Sequence, residues 1–152
     1  MSTFANFFDR FPPPKATVPR LDVEELAALM ASDKVAGRDY VVVDVRRTDL
    51  EEEVHFVHPS AINLPAQSFY QTLPTSGRLL STVPQVIFHC TSSNGRGPRC
   101  AGWYAEWLAA EGIEGSKAYV LTGGIKAWLA SEYGLGPKGK VDVLGDYREA
   151  RT

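Results

Sequence analysis

The feature of this sequence that most constrains its fold is a run of β-branched residues at positions 40–45, Tyr-Val-Val-Val-Asp-Val. Apolar and polar residues do not alternate in it, which indicates a strand buried on both faces. Strands of this kind belong to parallel sheets that are covered by helices on either side. Three further segments predict strands: 61–64, 84–89 and 117–121. The sequence therefore predicts a mainly parallel sheet at the centre of the molecule.

Helical patterns alternate with these strands. The clearest covers residues 21–32, where Asp22 can cap the first turn and Glu25 lies three residues further on, as in a capping box. Other helices are predicted within 66–73, from Pro98 to about Glu111, and from Ile125 to about Ser131. Because strands and helices alternate, we expect an α/β three-layer sandwich of the rhodanese-like kind discussed below, with a central, mainly parallel sheet flanked by helices.

The length of 152 residues is typical of one domain, which we place at residues 18–133. Residues 1–17 form a leader, in which four phenylalanines have the spacing of an apolar helix stripe: Phe4, Phe7, Phe8 and Phe11. The prolines at 12–14 end any such helix. The leader either packs back on the domain or offers a docking stripe to a partner or a second subunit, and a homodimer is one form of the second alternative. Residues 134–152 form a C-terminal tail.

Charge and hydropathy exclude several classes of function. Sixteen Lys and Arg against eighteen Asp and Glu give a net charge of −2, which offers no general attraction to nucleic acid or to an anionic membrane. No apolar stretch approaches the roughly 20 residues of a membrane-spanning helix, and the chain starts without the basic segment of an export signal. Two cysteines are too few for a disulfide-rich scaffold. We therefore expect a soluble cytoplasmic protein with reduced thiols.

The segment between the strand at 84–89 and the next helix carries the chemistry. Cys90 and Arg96 bracket five small or polar residues there: Thr91, Ser92, Ser93, Asn94 and Gly95. Such a loop can turn its backbone amides inward as a nest for an oxyanion, to which the next helix adds the positive end of its dipole. Arg96 can grip two oxygens at once. The same positive field favours the thiolate of Cys90, a nucleophile aimed at the centre of a tetrahedral oxyanion.

With its flanking residues, this loop resembles the active-site loop of the rhodanese-fold cysteine enzymes, of the type of the fungal arsenate reductases and the cell-cycle dual-specificity phosphatases. The flanking residues are His89-Cys90 on one side and Arg96-Gly97-Pro98 on the other. Two further stretches look like rhodanese motifs, Val-Val-Asp-Val-Arg at 42–46 and Val-Leu-Thr-Gly-Gly-Ile-Lys-Ala-Trp at 120–128. The resemblance covers residues 18–133 and implies a rhodanese-like fold.

The resemblance also implies a substrate class and a limit on it. The loop is one residue longer than that of the sulfurtransferases in the family, which implies a cradle for arsenate or phosphate. The phosphatases of this type carry acidic residues where this chain has Thr91 and Gly95. No loop carboxylate can therefore protonate a leaving alkoxide. The resemblance implies that His89 organises the loop through hydrogen bonds. If arsenate is the substrate, it implies glutathione and glutaredoxin as external reductants, with no bound cofactor.

The other polar residues are given structural places. Asp44 ends the strand at 40–45, and we interpret it with Arg46 as an ion pair that braces the sheet edge and supports the site. His55 and His58 have no acidic or cysteine partners at ligand spacing, so we expect surface residues and no metal site. The three glutamates at 51–53 are interpreted as a solvated charge run.

Cys100 lies on the apolar stripe of the helix after the loop, so we expect it to pack in the core. The chain would then hold no internal thiol that resolves Cys90. Any redox cycle would need thiols from outside.

Three hypotheses for function follow. In the first, the protein is an arsenate reductase: the Cys90 thiolate attacks arsenate held by the loop amides and Arg96, water leaves, and external thiols release arsenite. A small leaving group suits a loop without an acid. In the second, it is a protein tyrosine or dual-specificity phosphatase that acts through a cysteinyl-phosphate, since arsenate and phosphate share shape and charge. In the third, it is a non-catalytic rhodanese-like binding module. The presence of both Cys90 and Arg96 argues against this hypothesis, because such a module has no need to keep them.

Overall fold

A computed structural model of the protein describes residues 10–135 and 139–145. The strands are β1 (Arg20–Leu21), β2 (Tyr40–Asp44), β3 (Phe56–Val57), β4 (Ala61–Asn63), β5 (Gln85–His89), β6 (Lys117–Leu121) and β7 (Asp142–Val143). The α-helices are α1 (Val23–Ala31), α2 (Ala66–Leu80), α3 (Arg96–Glu111) and α4 (Gly124–Ala130). Five strands form one sheet in the order β1-β6-β5-β2-β4, and every pairing in it is parallel.

The strand β2 shows why its sequence lacks polar alternation. Val41 and Val43 lie in a core layer with residues of α2 and α3, and Tyr40 and Val42 lie in a second layer with residues of α1 and α4. Every residue of β2 is buried. Burial of a valine or larger apolar side chain stabilises a fold by roughly 1.5–3 kcal/mol, so both faces of the strand contribute. The predicted α/β three-layer sandwich is confirmed.

Two helices illustrate what local sequence does and does not fix. At α1 the predicted capping box is present: Oδ1 of Asp22 accepts from the amide of Glu25 at 2.8 Å, and the Glu25 carboxylate accepts from the amide of Asp22 at 3.2 Å. The helix predicted within 66–73 continues through Pro74 to Leu80. Its buried stripe is Ala66, Phe69, Leu73, Gly77 and Leu80. Packing of this stripe outweighs the amide that Pro74 lacks.

The described part of the leader, residues 11–16, lies against α3 and is called the N-terminal strap. The indole nitrogen of Trp103 donates to the carbonyl of Pro12 at 2.8 Å, and the Glu106 carboxylate accepts from the amide of Lys15 at 2.6 Å. The strap therefore packs back on the domain, which is one of the two predictions for the leader. The rest of the predicted phenylalanine stripe lies outside the described residues: Phe4, Phe7 and Phe8.

A second, two-stranded sheet joins β3 to β7 in antiparallel pairing. It belongs partly to the tail predicted at 134–152, of which residues 136–138 and 146–152 lie outside the described residues. Beyond β7, the amide of Leu144 donates to the carbonyl of His55 at 2.7 Å. The tail thereby supports the segment that connects β2 to β4. In the described residues, no helix is long and apolar enough to cross a membrane.

Candidate active site

The predicted loop joins the end of β5 to the start of α3. β5 ends at His89, Cys90 follows, and α3 begins at Arg96, so Pro98 lies in its first turn as predicted. Gly97 permits this start, because a Cβ atom there would lie only 3.2 Å from the amide nitrogen of Cys90. The first turn of α3 comes so close that the Gly97 amide donates to Sγ of Cys90 at 3.3 Å. The sulfur is thus held at the positive end of the helix.

The turn before α4 orients the loop backbone. Amides in the first turn of α4 donate to the carbonyls of Cys90 and Thr91, each at 3.1 Å. Gly124 has a φ of 61°, and a Cβ atom there would lie 2.5 Å from the Cys90 carbonyl oxygen. Because N–H and C=O point in opposite directions across a trans peptide, the amides of Thr91 and Ser92 point away from α4. No backbone carbonyl of the described residues accepts from these two amides.

Ser93 turns the loop back towards the helix. Its φ of 57° lies in the left-handed region, which among the described residues is otherwise populated by glycines. Nη2 of Arg20, at the edge of the sheet, donates to the Ser93 carbonyl at 3.3 Å. The side-chain oxygen of Ser93 is buried without a partner in the described residues. Asn94 and Gly95 complete the loop at the surface. Folding thus places all the predicted loop residues between Cys90 and Arg96, in a shape that can hold an oxyanion.

Arg96 meets a carboxylate that the sequence analysis did not find. Nη1 of Arg96 donates to Oδ1 of Asp49 at 2.9 Å and Nη2 to Oδ2 at 2.6 Å. The hydroxyl of Thr91 also donates to Oδ2 of Asp49, and the amide of Arg47 donates to Oδ1 at 3.2 Å. Asp49 begins a short π-helical turn, Asp49–Glu53, whose glutamates are exposed as predicted. Asp49 lies two residues before that charge run, and only the fold brings it to the loop.

The charges of Asp49 and Arg96 beside the loop are paired with each other. Burial of Asp49 opposes its ionisation, but hydrogen bonds from Arg96 and Thr91 hold the pKa of this carboxyl well below its usual range. Hydrogen bonds to Asp49 in turn raise the pKa of Arg96, and a thiolate at Cys90 acts in the same direction. Arg96 therefore stays cationic between the Asp49 carboxylate and the Cys90 sulfur.

Beneath the loop lies the predicted ion pair of Asp44 and Arg46. Nη2 of Arg46 donates to Oδ2 of Asp44 at 2.7 Å, and both side chains are fully buried. His89 lies beside them, with Nε2 at 3.9 Å from Oδ2 of Asp44 and Nδ1 at 3.0 Å from the carbonyl oxygen of Cys90. A carbonyl accepts, so Nδ1 carries the proton. Burial lowers the pKa of His89, which is therefore neutral here. His89 thus bonds the loop backbone through Nδ1, while its Nε2 has no hydrogen-bond partner in the described residues.

A family model supplies the decisive comparison: the model described as "Rhodanese-like domain" matches residues 22–131. The chain belongs to the rhodanese-like domain family.

Several named proteins are similar to this rhodanese-like domain. It is 33% identical over 98 residues to "Arsenical-resistance protein 2" of Saccharomyces cerevisiae, which is 60% of this chain and 75% of the yeast protein. It is 32% identical over 93 residues to "Arsenate reductase 2.2" of Oryza sativa, which is 59% of this chain and 69% of that protein. Among solved structures, Saccharomyces cerevisiae Ygr203w, called a homolog of single-domain rhodanese and Cdc25 phosphatase catalytic domain, matches with a TM-score of 0.68. Their identity is 25%, over 89% of this chain and 95% of that one.

The prediction that both loop histidines lie at the surface is half wrong. His55 is exposed, but His58 is 1% exposed and packs against Trp128, with ring centroids 4.5 Å apart. Its Nδ1 accepts from the amide of Ser60 at 3.1 Å, which leaves the proton on Nε2. Burial lowers the pKa of His58 to about 3. An edge-to-face contact with a ring 70 residues away in the sequence buries it, and no residue near His58 in the sequence predicts this contact.

Cys100 of this rhodanese-like domain is fully buried in the core beside α2, as predicted. Both cysteines are free thiols. Burial raises the pKa of Cys100 far above that of an exposed thiol. Cys100 is therefore a packing residue that stays protonated.

Proposed function

We propose that the protein is an arsenate reductase in which Cys90 is the nucleophile and the loop amides with Arg96 bind arsenate. One observation carries the proposal. The sulfur of Cys90 lies at the base of a five-residue loop whose first amides are unused, and the loop ends at an arginine. The relatives named for arsenic chemistry support it, since they align with most of the domain.

The proposed reaction needs no carboxylic acid in the loop. The Cys90 thiolate attacks arsenic in singly charged arsenate, a sulfur–arsenic bond forms, and an arsenic–oxygen bond breaks. The leaving oxygen departs as water and takes up the two protons that the arsenate brought. Loop amides and Arg96 stabilise the oxygens that carry the negative charge. Thr91 and Gly95 suffice in the loop because the substrate supplies these protons.

Reduction then requires two external thiols. The first attacks Sγ of Cys90; the sulfur–arsenic bond breaks, and its electron pair stays on arsenic, which leaves as arsenite. This step makes a mixed disulfide at Cys90, and the second thiol restores the thiolate by forming an external disulfide. Glutathione with glutaredoxin is the proposed donor. Cys100 is buried and protonated, so it takes no part in the cycle.

Phosphatase activity is the second candidate, on the observation that the same loop fits a phosphate group and that the Ygr203w relative is compared with a phosphatase domain. A cysteinyl-phosphate would form at Cys90. Loss of an alcohol needs a proton, which the loop does not offer. Asp44 cannot supply it, because this carboxylate is fully buried and paired with Arg46. We therefore propose that aryl phosphates react and alkyl phosphates react poorly.

The test is a side-by-side assay of the purified protein. One arm measures arsenite formation with glutathione and glutaredoxin, and the other measures hydrolysis of an aryl phosphate. We expect clear turnover of arsenate and slower hydrolysis. Hydrolysis without arsenate turnover would favour the phosphatase. Absence of both activities in the folded protein would favour the non-catalytic binding module.

Two cysteine variants sharpen this assay. Cys90→Ser is expected to abolish both activities without unfolding the protein, because an alcohol lacks the stable anion. Cys100→Ser is the matched control: its buried hydroxyl costs on the order of 1–3 kcal/mol of stability, but turnover continues at a temperature where it is folded. A Cys90–Cys100 disulfide trapped by mass spectrometry, with turnover lost in Cys100→Ser, would contradict the need for external thiols alone.

A further inference from the structure

We infer that Asp49 is an internal counter-ion which occupies Arg96 in the resting site, and that an incoming oxyanion binds by taking Arg96 from it. Asp49 would thereby set the affinity of the loop for its substrate. The inference rests on the oxyanion site of the proposed function and names the group against which the substrate competes.

The geometry of the pair motivates the inference. Two oxygens of one carboxylate meet the two terminal nitrogens of Arg96, at 2.9 and 2.6 Å. This is the two-pronged contact that a guanidinium makes with two oxygens of a tetrahedral anion. Thr91, the first loop residue after Cys90, donates to the same carboxylate. Asp49 therefore bridges the two ends of the loop, where an oxyanion above Cys90 would reach Arg96.

Asp49 is able to release Arg96 without being left unpaired. The amide of Arg47 and the hydroxyl of Thr91 remain as donors when the guanidinium turns away. The pair also has access to water, since the side chain of Arg96 is 26% exposed and that of Asp49 is 13% exposed. Exchange of partners therefore costs less than it would inside the core, where a freed charge has no solvent.

Competition of this kind sets a minimum strength of interaction that a ligand needs in order to bind to Arg96. The carboxylate is tethered next to Arg96 and so competes at a high effective concentration. A ligand displaces it only by offering Arg96 two oxygens while its other oxygens meet the loop amides. Tetrahedral oxyanions such as arsenate, phosphate and sulfate satisfy both conditions. Chloride satisfies neither, and a simple carboxylate offers Arg96 two oxygens but has none left for the loop amides. Asp49 is therefore a specificity-determining residue.

The experiment measures sulfate binding by calorimetry, because sulfate fits the loop but does not react with Cys90. The test variant is Asp49→Asn. The matched control is Glu52→Gln, which removes an exposed carboxylate from the same π-helical turn. We expect Asp49→Asn to bind sulfate on the order of tenfold more tightly, because a charge in contact with Arg96 is lost. Glu52→Gln is expected to change the affinity by less than about twofold, because this charge is solvated.

Weaker or unchanged sulfate binding by folded Asp49→Asn would overturn the inference, since Asp49 would then brace Arg96 instead of competing for it. Equal tightening by both variants would also overturn it, because distant charge alone would explain the result. If Asp49→Asn does not fold, Asp49→Ser replaces it, since a hydroxyl still accepts from the Arg47 amide. Arsenate turnover is measured separately: tighter sulfate binding without turnover leaves the inference intact and removes the proposed function, and the reverse removes only the inference.

Discussion

Two arginine–aspartate pairs lie near the Cys90 loop, and the protein encloses them to different degrees. Nε and Nη2 of Arg46 both donate to Asp44, while Nη1 and Nη2 also donate to the carbonyls of Val54 and Phe56 at 3.0 and 2.8 Å. Both side chains are fully buried. Each nitrogen of this guanidinium is therefore used, and the pair has no room for another partner.

The second pair, Arg96 with Asp49, has the same chemistry in a different setting. Only the terminal nitrogens of Arg96 meet Asp49, and its side chain is 26% exposed. The comparison teaches that residue type does not decide whether an ion pair is structural. The number of donors already used and the access of water decide whether the arginine can take a substrate.

The largest effect is expected from breaking the enclosed pair. Arg46→Met leaves Asp44 buried without its partner and two carbonyls without donors, which is expected to cost about 3–5 kcal/mol of the free energy of unfolding. Urea denaturation followed by circular dichroism measures it. The control is the double variant Asp44→Asn/Arg46→Met, which removes the stranded charge. It should be more stable than Arg46→Met alone, and a less stable double variant would contradict the account.

Breaking the open pair is expected to affect function and leave the fold nearly unchanged. Arg96→Lys keeps the charge but loses the two-pronged contact, so kcat/KM for the preferred oxyanion substrate should fall on the order of 10²–10³-fold. Its stability should change by less than about 1 kcal/mol, because lysine keeps a positive charge beside Asp49 and the pair has access to water. Kinetics and urea denaturation of the same preparation test both statements. Normal kinetics in Arg96→Lys would remove Arg96 from substrate binding.

The smallest effect at neutral pH concerns His58, a neutral histidine near the enclosed pair. Burial lowers the pKa of His58 to about 3, from an ordinary value of 6.5. The unfolded chain therefore takes up a proton below about pH 6.5 that the folded protein refuses down to about pH 3. Stability from this group is complete above about pH 6.5, and about 1.4 kcal/mol is lost for each pH unit below it.

The variant His58→Phe checks that statement, because phenylalanine keeps an edge-to-face ring contact with Trp128 and cannot titrate. Its free energy of unfolding between about pH 6 and pH 4 should fall less steeply than that of the unaltered protein. Some slope should remain, since burial also lowers the pKa of His89. Identical slopes would show that His58 titrates normally in the folded state.

Local sequence predicted the parts of the fold that local physics determines. The valines of β2 predict a strand buried on both faces, and Asp22 with Glu25 predicts a helix start. The spacing of Cys90 and Arg96 predicts an anion-binding loop because it lies between a buried strand and a helix. These features depend on residues close together in the chain. The alternation of strands and helices then predicted that β2 belongs to a parallel sheet and that the loop connects a strand to a helix.

The parts that sequence did not predict depend on contacts between distant segments. Asp49 lies 42 residues before Thr91, and no periodicity links them. β3 and β7 have two residues each, too few for a strand pattern. They pair only because the C-terminal part of the chain folds back against β3. His58 is buried by a ring from α4. Tertiary packing therefore decided what surrounds the loop and which charges neutralise each other there.

The strand order has a consequence for synthesis on the ribosome. The N-terminal strap bonds to α3 across 91 residues of sequence, and β1 pairs with β6, so both early segments emerge long before their partners. At roughly 5–20 residues per second they wait on the order of ten seconds. The Cys90 loop likewise receives its support only when α4 has been made. A nascent chain must therefore carry Cys90 without the support of α4 until all five strands of the main sheet have been translated.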